Sequence, residues 1–600
     1  MPIKNFELLT RKGQFPYEYV TGPKILEQKT LPEKSKFFSK LKNSGITDSE
    51  YNFAKEVFST FNCKTLGDYH DLYCASDTML LSDCFESFRR LCKKTYNLEP
   101  CHFATSPGLT WQAALKYTGV ELELLSDVSM NLFIDNAMKG GFSGVITPLS
   151  IANNPGLKNW DPKQSMRWIS LFDCNNQYGR AMSEPLPFGE FKWVSQYDLP
   201  LFTEQYIRNE LDHYGNIAYF IECDLIYPTS LHDYHNEFPY AMENFEIKKE
   251  LLSPYQQKLA TSLNLSVGGS KLCTTLYNKY KYITHSRNLK QILDAGLKIK
   301  KVHRVLQFSQ SMWQKSYVDL NTNIRRTSDC PVLKNFAKLM VNSCFGKFCE
   351  DVRRHRDVKL IFDEKRLQFY VRKPTFNRAV PYDENFCVIE LKKNQITLNK
   401  PRYIGAAILC LSKLYMYNFH YNFIKKYWPG SSSKLLFTDT DSLCYQIKFE
   451  GDFYRKLKNI NIKENIIDFS NFDPKKSIFN AEHRLQPGFF KDEMGGKIIS
   501  MFVGLRSKMY SIEMADGFCK KTGKGITHAC KEKLDHHKDY LNILNKKTFN
   551  YVKMGRIISK KHKLYSVQAT KIGLSCLNDK RFFLENGKSY SFGHYSLLRD

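Results

Sequence analysis

None of the 17 cysteines forms a Cys-x-x-Cys pair. The opening residues MPIKNFELLTRKGQF lack both the apolar stretch and the small-residue cleavage site of a signal peptide. These absences argue against a disulfide-stapled secreted domain and predict reduced thiols inside a cell. Long hydrophobic runs are missing as well. The best, Ile404 to Leu411 in YIGAAILCLSKLYMY, leads into Lys413 and falls far short of the roughly 18 residues that a bilayer span needs. It predicts a buried helix, a soluble protein and no membrane contact. No internal repeat or low-complexity block stands out, which excludes solenoids and long disordered linkers. Acidic residues are in deficit, 61 against 88 Lys and Arg, for a net charge of +27. Such a balance favours a polyanionic partner, nucleic acid first, because cations beside phosphates release condensed counterions. Ribosome-associated and membrane-surface proteins carry similar charge. At 600 residues with 42% hydrophobic content, the chain is long for one core and predicts a multi-domain α/β protein.

Chemistry is concentrated in three places. In KLLFTDTDSLCYQ, from Lys434 to Gln446, two apolar strand-like runs flank Thr438-Asp439-Thr440-Asp441-Ser442, which predicts a hairpin with two carboxylates at its tip. Charges so close repel unless a hard cation joins them, and oxygen-only ligation suits Mg²⁺. An Asp-rich turn without chemistry reads the same from this fragment alone. In WISLFDCNNQYG, from Trp168 to Gly179, an apolar strand ends in Asp173. In KLMVNSCFGK, residues Lys338, Asn342 and Phe345 stand at i, i+4 and i+7 and share one helix face. A plain core helix would also expose the lysine and bury the phenylalanine. Cys519, His528, Cys530, His536 and His537 suggest zinc by composition, but their spacing fits no regular ligand pattern.

Taken in order, a strand-end Asp, a Lys/Asn helix and a hairpin Asp pair resemble motifs A, B and C of family B DNA polymerases. DCNNQY is similar to Asp-x-x-Ser-Leu-Tyr, KLMVNSCFG to Lys-x-x-x-Asn-Ser-x-Tyr-Gly, and TDTDS to the family's most specific string. GLRSKMY, from Gly504 to Tyr510, resembles its Lys-x-Tyr motif. YHDLYCASDTMLLSDCFESFRR, HSRNLKQILDAGLKIKKVHRVLQF and KDEMGGKIISMFVGLRSKMYS resemble the protein-primed branch, of organellar and viral type and of Polinton or Maverick mobile elements. The resemblance implies a right-hand fold of palm, fingers and thumb, and a monomeric DNA-directed DNA polymerase. Its partners would be template and primer DNA, deoxynucleoside triphosphates and a terminal-protein primer. Asp173 and Asp441 would hold two Mg²⁺ ions, with Mn²⁺ as substitute and Asp439 supporting, while Lys338 would meet the departing phosphates. Tyr178 would lie under the sugar and exclude a 2′-hydroxyl, and Asn342, Phe345 and Gly346 would shape the nucleotide pocket. Arg506, Lys508 and Tyr510 would contact DNA. Gln177 stands where the family usually has Leu, and Phe345 where it has Tyr; neither change removes a metal ligand. A reverse transcriptase would carry adjacent aspartates, which Thr440 separates here. The rival reading is a mobile-element remnant that binds DNA without catalysing.

Tyr73-Cys-Ala-Ser-Asp77 resembles the third motif, Tyr-x-x-x-Asp, of the family's RNase H-like 3′–5′ exonuclease. Residues 1–72 are read as offering no counterpart of the family's Asp-x-Glu and Asn/Asp motifs, the string Asp48-Ser49-Glu50 notwithstanding, and one aspartate cannot bind two ions, so proofreading is expected to be absent or incomplete. The layout predicted is an exonuclease remnant over 1–105, a linker and first palm segment over 106–192, and an insertion resembling terminal-protein region 1 over 193–308. Fingers follow over 309–349, a second insertion resembling terminal-protein region 2 over 350–399, palm over 400–514 and thumb over 515–600. The stretch Val358 to Leu398 alternates apolar and polar residues around Pro and Asn, predicting short antiparallel strands.

Overall fold

The computed structural model describes residues 3–597 apart from 40, 43, 528–529, 532–535 and 561–562. Its centre is a six-stranded sheet whose strands we number in chain order. These are β1 (Ser143–Val145), β2 (Arg167–Cys174), β3 (Ser433–Asp439), β4 (Ser442–Lys448), β5 (Ile467–Asp468) and β6 (Phe490–Asp492). Their spatial order is β1-β3-β4-β2-β6-β5, antiparallel throughout except for the β5/β6 pair.

Both faces of this sheet are covered, so its strands read as nearly continuous apolar runs. The two-residue alternation sorts them. Trp168, Phe172, Leu443, Tyr445 and Ile447 enter one core, and Ile169, Leu171 and Cys444 the other. Phe172 is fully buried against the edge of Phe419, with ring centroids 5.2 Å apart, and its burial contributes about 2–3 kcal/mol. That anchor fixes the strand one residue before Asp173.

Behind the second core lies a four-stranded sheet of Leu149–Ile151, Ile499–Arg506, Met509–Met514 and Cys519–Gly523. The helices Lys315–Thr327 and Pro331–Phe348 follow one another across the other side of the site. Pro331 opens the second of these at a position where no intrahelical N–H is lost. Its Ala337, Met340, Val341, Cys344 and Phe348 are buried at helical spacing, so Lys338 and Asn342 are left exposed. The apolar run Ile404 to Leu411 lies in helix Arg402–Tyr417, buried on nearly every side. A side chain at Gly405 would stand 2.8 Å from the Cys349 sulfur, so only glycine allows this close approach to the end of helix Pro331–Phe348. Among the described residues no helix is long and apolar enough to cross a membrane.

Two strands cross the boundaries read from the sequence. Strand Leu186–Trp193 pairs with Lys298–Ser311 in a sheet that also holds Ile217–Ile226 and Lys279–His285. The 193–308 segment therefore shares a sheet with its flanks. Strands Arg356–Ile361, Phe376–Asp383 and Phe386–Lys392 form the expected antiparallel sheet, but helix Glu364–Val371 packs on it. Asp363 starts that helix by accepting from the Lys365 and Arg366 amides. The tail is more ordered than its weak periodicity suggests. A long hairpin, Phe549–Lys560 with Lys563–Ser575, is followed by a return to the 193–308 region. There the fully buried Arg581 donates to Ser589, Ser591 and Asn236.

Candidate active site

Asp173 is the penultimate residue of β2, opposite Ser442 of β4 and Lys491 of β6. The β3/β4 hairpin brings Asp441 to the same place, and the Cys174 amide donates to the Asp441 carbonyl at 2.8 Å. Burial pushes the Asp441 carboxyl up to about 6, helped by the nearby charges of Asp173 and Asp439. Burial also raises Asp173, and the Lys491 ammonium, 3.1 Å from its Oδ2, pulls it back. Two carboxylates that resist ionisation beside each other suit a hard divalent cation between them. Asp173 and Asp441 therefore fit the expected magnesium ligation.

Asp439 is placed differently from the three-ligand expectation. Its carboxylate accepts from Lys508 at 2.6 Å. Among the described residues no three His, Cys, Asp or Glu side chains converge tightly enough to hold a metal. Lys508 occupies Asp439, while Lys491 bridges Asp173 to Glu493, which also meets Lys520 at 3.3 Å. Of the cysteine and histidine group, Cys530 donates to the Lys553 carbonyl, and His537 meets the Ser511 hydroxyl at 3.1 Å. His528 lies outside the described residues.

Tyr178 and Phe345 come together from separate helices, their rings stacked with centroids 4.1 Å apart and planes 16° from parallel. Burial, with the Asp441 charge, pushes the Tyr178 phenol up to about 12, so the hydroxyl stays protonated beside the carboxylates. Lys338 and Asn342 are exposed on the helix that carries Phe345. Gly346 is exposed too, but an added side chain would meet nothing within 4 Å, so sterics alone do not require glycine there. Gln177, the departure from the family pattern, is buried and donates to the Ser412 carbonyl at 3.0 Å.

The Lys-x-Tyr segment turns between strands Ile499–Arg506 and Met509–Met514, with Lys508 at φ +56°. Tyr510 packs into the second core. It is buried, stacked on Phe437 with centroids 4.2 Å apart, and supports the carboxylate hairpin from behind. Arg506 is half-buried; burial lowers its guanidinium and Asp579 partly restores it. Tyr73 and Asp77 lie one turn apart on helix Leu66–Tyr96. The Tyr73 hydroxyl is 2.6 Å from that of Tyr17. Burial, Tyr17 and Asp77 together push the Tyr73 phenol well above its usual range.

Two residues enter the site that the sequence reading missed. Lys491 arrives through the β6/β2 register, and its only local signal is the charged string KDE after Phe489-Phe490. Arg325, at the end of helix Lys315–Thr327, is half-buried; burial lowers its guanidinium and the Asp173 charge opposes that shift. Its only local signal is the Arg325-Arg326 pair.

Residues 3–426 match the family of organellar and viral type B DNA polymerases. The chain belongs to that family and is a DNA-directed DNA polymerase of mixed α/β, multi-domain architecture. The matched span includes Asp173, Lys338 and Asn342 and stops short of the β3/β4 hairpin. No match was found among curated proteins. Among solved structures, Phi29 DNA polymerase in an orthorhombic crystal form is similar over 93% of this chain and 78% of its own, at 15% identity and a TM-score of 0.47. Phi29 DNA polymerase complexed with primer-template DNA and incoming nucleotide covers 94% and 79%, at 15% identity and 0.47. The family B DNA polymerase of the hyperthermophilic archaeon Pyrobaculum calidifontis covers 90% and 50%, at 10% identity and 0.29.

Proposed function

We propose that the chain copies DNA by metal-assisted nucleotidyl transfer at Asp173 and Asp441, starting from a hydroxyl on a protein primer. The observation that carries this reading is the strand register that sets Asp173 opposite Ser442, next to Asp441, close enough for the Asp173 charge to act on the Asp441 carboxyl. Both are raised by burial and Asp441 also by its neighbour's charge. Two Mg²⁺ ions held there would stabilise the attacking and leaving oxygens. The chain's own groups would do the rest. Lys338 would meet the departing phosphates as a point charge, and the Tyr178 ring, held by Phe345, would fill the space a 2′-oxygen needs. Lys508 would leave Asp439 for the primer strand when DNA enters, and Asn342 would line the nucleotide pocket.

In this reading the six-stranded sheet is the palm and the helices Lys315–Thr327 and Pro331–Phe348 are the fingers. The Phe549–Ser575 hairpin belongs to the thumb. Protein priming and a viral or mobile-element genome are inferred from the family's organellar and viral kind and from the stretches that resemble its protein-primed branch. The test is extension of a labelled DNA primer with Mg²⁺ or Mn²⁺, run beside Asp441→Asn. Extension by the parent and none by the variant is expected. A silent parent that still binds primer-template would favour the remnant instead.

A further inference from the structure

Residues Lys139 to Val145 cross the tip of the carboxylate hairpin. Ser143 pairs with Asp439, and the Phe142 carbonyl accepts from the Thr440 amide at 2.9 Å. Gly141 lies so close that a side chain there would stand 2.4 Å from Thr440 Cγ2, 3.1 Å from its Cβ and 3.2 Å from its Cα. Thr440, the residue between the two aspartates, has φ +66°. A β-branched residue rarely adopts that left-handed conformation, which costs on the order of 1–3 kcal/mol and persists only where surrounding contacts impose it. Here the strap supplies contacts of that kind.

The other end of the strap is tied to the buried helix Arg402–Tyr417. Lys413 Nζ donates to the Lys139 carbonyl at 2.6 Å and to the Leu409 carbonyl at 3.1 Å. Lys413 is buried, has no carboxylate partner among the described residues, and is lowered by burial against a smaller pull from Cys410. An ammonium in such a place is costly, so its hydrogen bond to the strap accounts for a lysine where an apolar side chain would pack. The residue before it, Ser412, accepts from Gln177 in the turn that follows Asp173. One turn of one helix thus holds both the segment after Asp173 and the strap that pairs with the hairpin.

We propose that Lys139 to Ser143 is a positioning strap that sets, from Lys413, where the hairpin tip presents Asp441 to Asp173. Gly141 is the residue whose missing side chain brings the strap onto Thr440. The inference rests on Asp173 and Asp441 as the site of transfer, which Asp441→Asn tests separately.

The experiment is a double-mutant cycle in the full chain, Gly141→Ala with Thr440→Gly, read by primer extension across a Mg²⁺ titration, primer-template binding and thermal unfolding. Gly141→Ala is expected to lower the maximal extension rate roughly 10- to 100-fold, as displacements near 1 Å do in active sites, while primer-template binding is retained. In the Thr440→Gly background the same substitution is expected to cost less than about threefold, because the Cβ and Cγ2 it would strike are gone. Lys413→Met, which keeps the stem and removes the donor, should lower the same maximal rate and raise the Mg²⁺ requirement. An equal penalty for Gly141→Ala in both backgrounds, or an unimpaired Gly141→Ala, overturns the proposal. Should Gly141→Ala fail to fold, or Thr440→Gly be inactive, Lys413→Met decides alone, and a parental rate and Mg²⁺ midpoint overturn it.

Discussion

The ring of Phe345 lies flat against that of Tyr178, 4.1 Å between centroids and 16° from parallel, joining the helix after Asp173 to the helix that carries Lys338. Each ring limits where the other can go. Tyr178→Ala should therefore admit ribonucleotides, with discrimination against them falling roughly 10- to 200-fold, the range a single steric contact supplies. Phe345→Ala should relax it less, since the tyrosine remains but loses its backing. Single-nucleotide insertion with paired deoxy- and ribonucleotides measures both; unchanged discrimination in Tyr178→Ala would assign the gate elsewhere.

Asp441 gives a pH signature in metal-free protein. Its carboxyl is raised from an ordinary 3.8 to about 6, so between those values the folded chain binds a proton that the unfolded chain has released. Stability from this group is full below the lower value and is lost as pH rises through about 6. Asp441→Asn should remove that slope and unfold at or slightly above the parent's temperature at neutral pH, while abolishing extension and leaving DNA binding intact. Thermal unfolding of the parent beside Asp441→Asn from pH 4 to 7 in chelator checks the sign, and a difference that shifts in the parent's favour as pH rises over that window would contradict it.

Lys491 stands in for a cation beside Asp173. Lys491→Met should strengthen the local negative potential and lower the Mg²⁺ concentration for half-maximal extension by roughly 3- to 10-fold, the effect of up to one pK unit of charge interaction. The maximal rate should also fall, because Glu493 loses a partner. A Mg²⁺ titration of the extension rate separates the two effects, and an unchanged midpoint would show that the lysine does not compete with the metal.

The hairpin, the strand ending in Asp173 and the buried helix were legible because each is a short apolar run whose length and flanks fix its type locally. The helix face of Lys338, Asn342 and Phe345 was legible for the same reason. Lys491 and Arg325 were not, since a lone cation has no periodicity and only strand register or helix packing carries it to Asp173. The helix Glu364–Val371 hid inside a stretch whose flanks alternate as strands, its start marked only by Asp363. The engagement of Asp439 by Lys508 was invisible for a related reason: both residues belong to recognised motifs, and the sequence does not say which charge meets which.

Arg325 offers the last prediction. It is half-buried at the end of helix Lys315–Thr327, feels the charge of Asp173, and has no ion-pair partner among the described residues. Lys338, exposed on the following helix, likewise has none there. A half-buried guanidinium without an anion is poorly stabilised until one arrives, and in the proposed reaction that anion is the incoming triphosphate. Arg325 should then act mainly in ground-state binding, so Arg325→Ala is expected to raise the nucleotide KM roughly tenfold with a smaller change in kcat. Lys338→Ala should instead lower kcat, because charge on the departing phosphates grows in the transition state. Arg325→Lys should recover only part of the affinity, since an ammonium lacks the planar fork that grips two phosphate oxygens. Steady-state single-nucleotide insertion on one primer-template resolves the three variants. Equal losses of kcat and kcat/KM in Arg325→Ala would move this residue from holding the nucleotide to assisting its transfer.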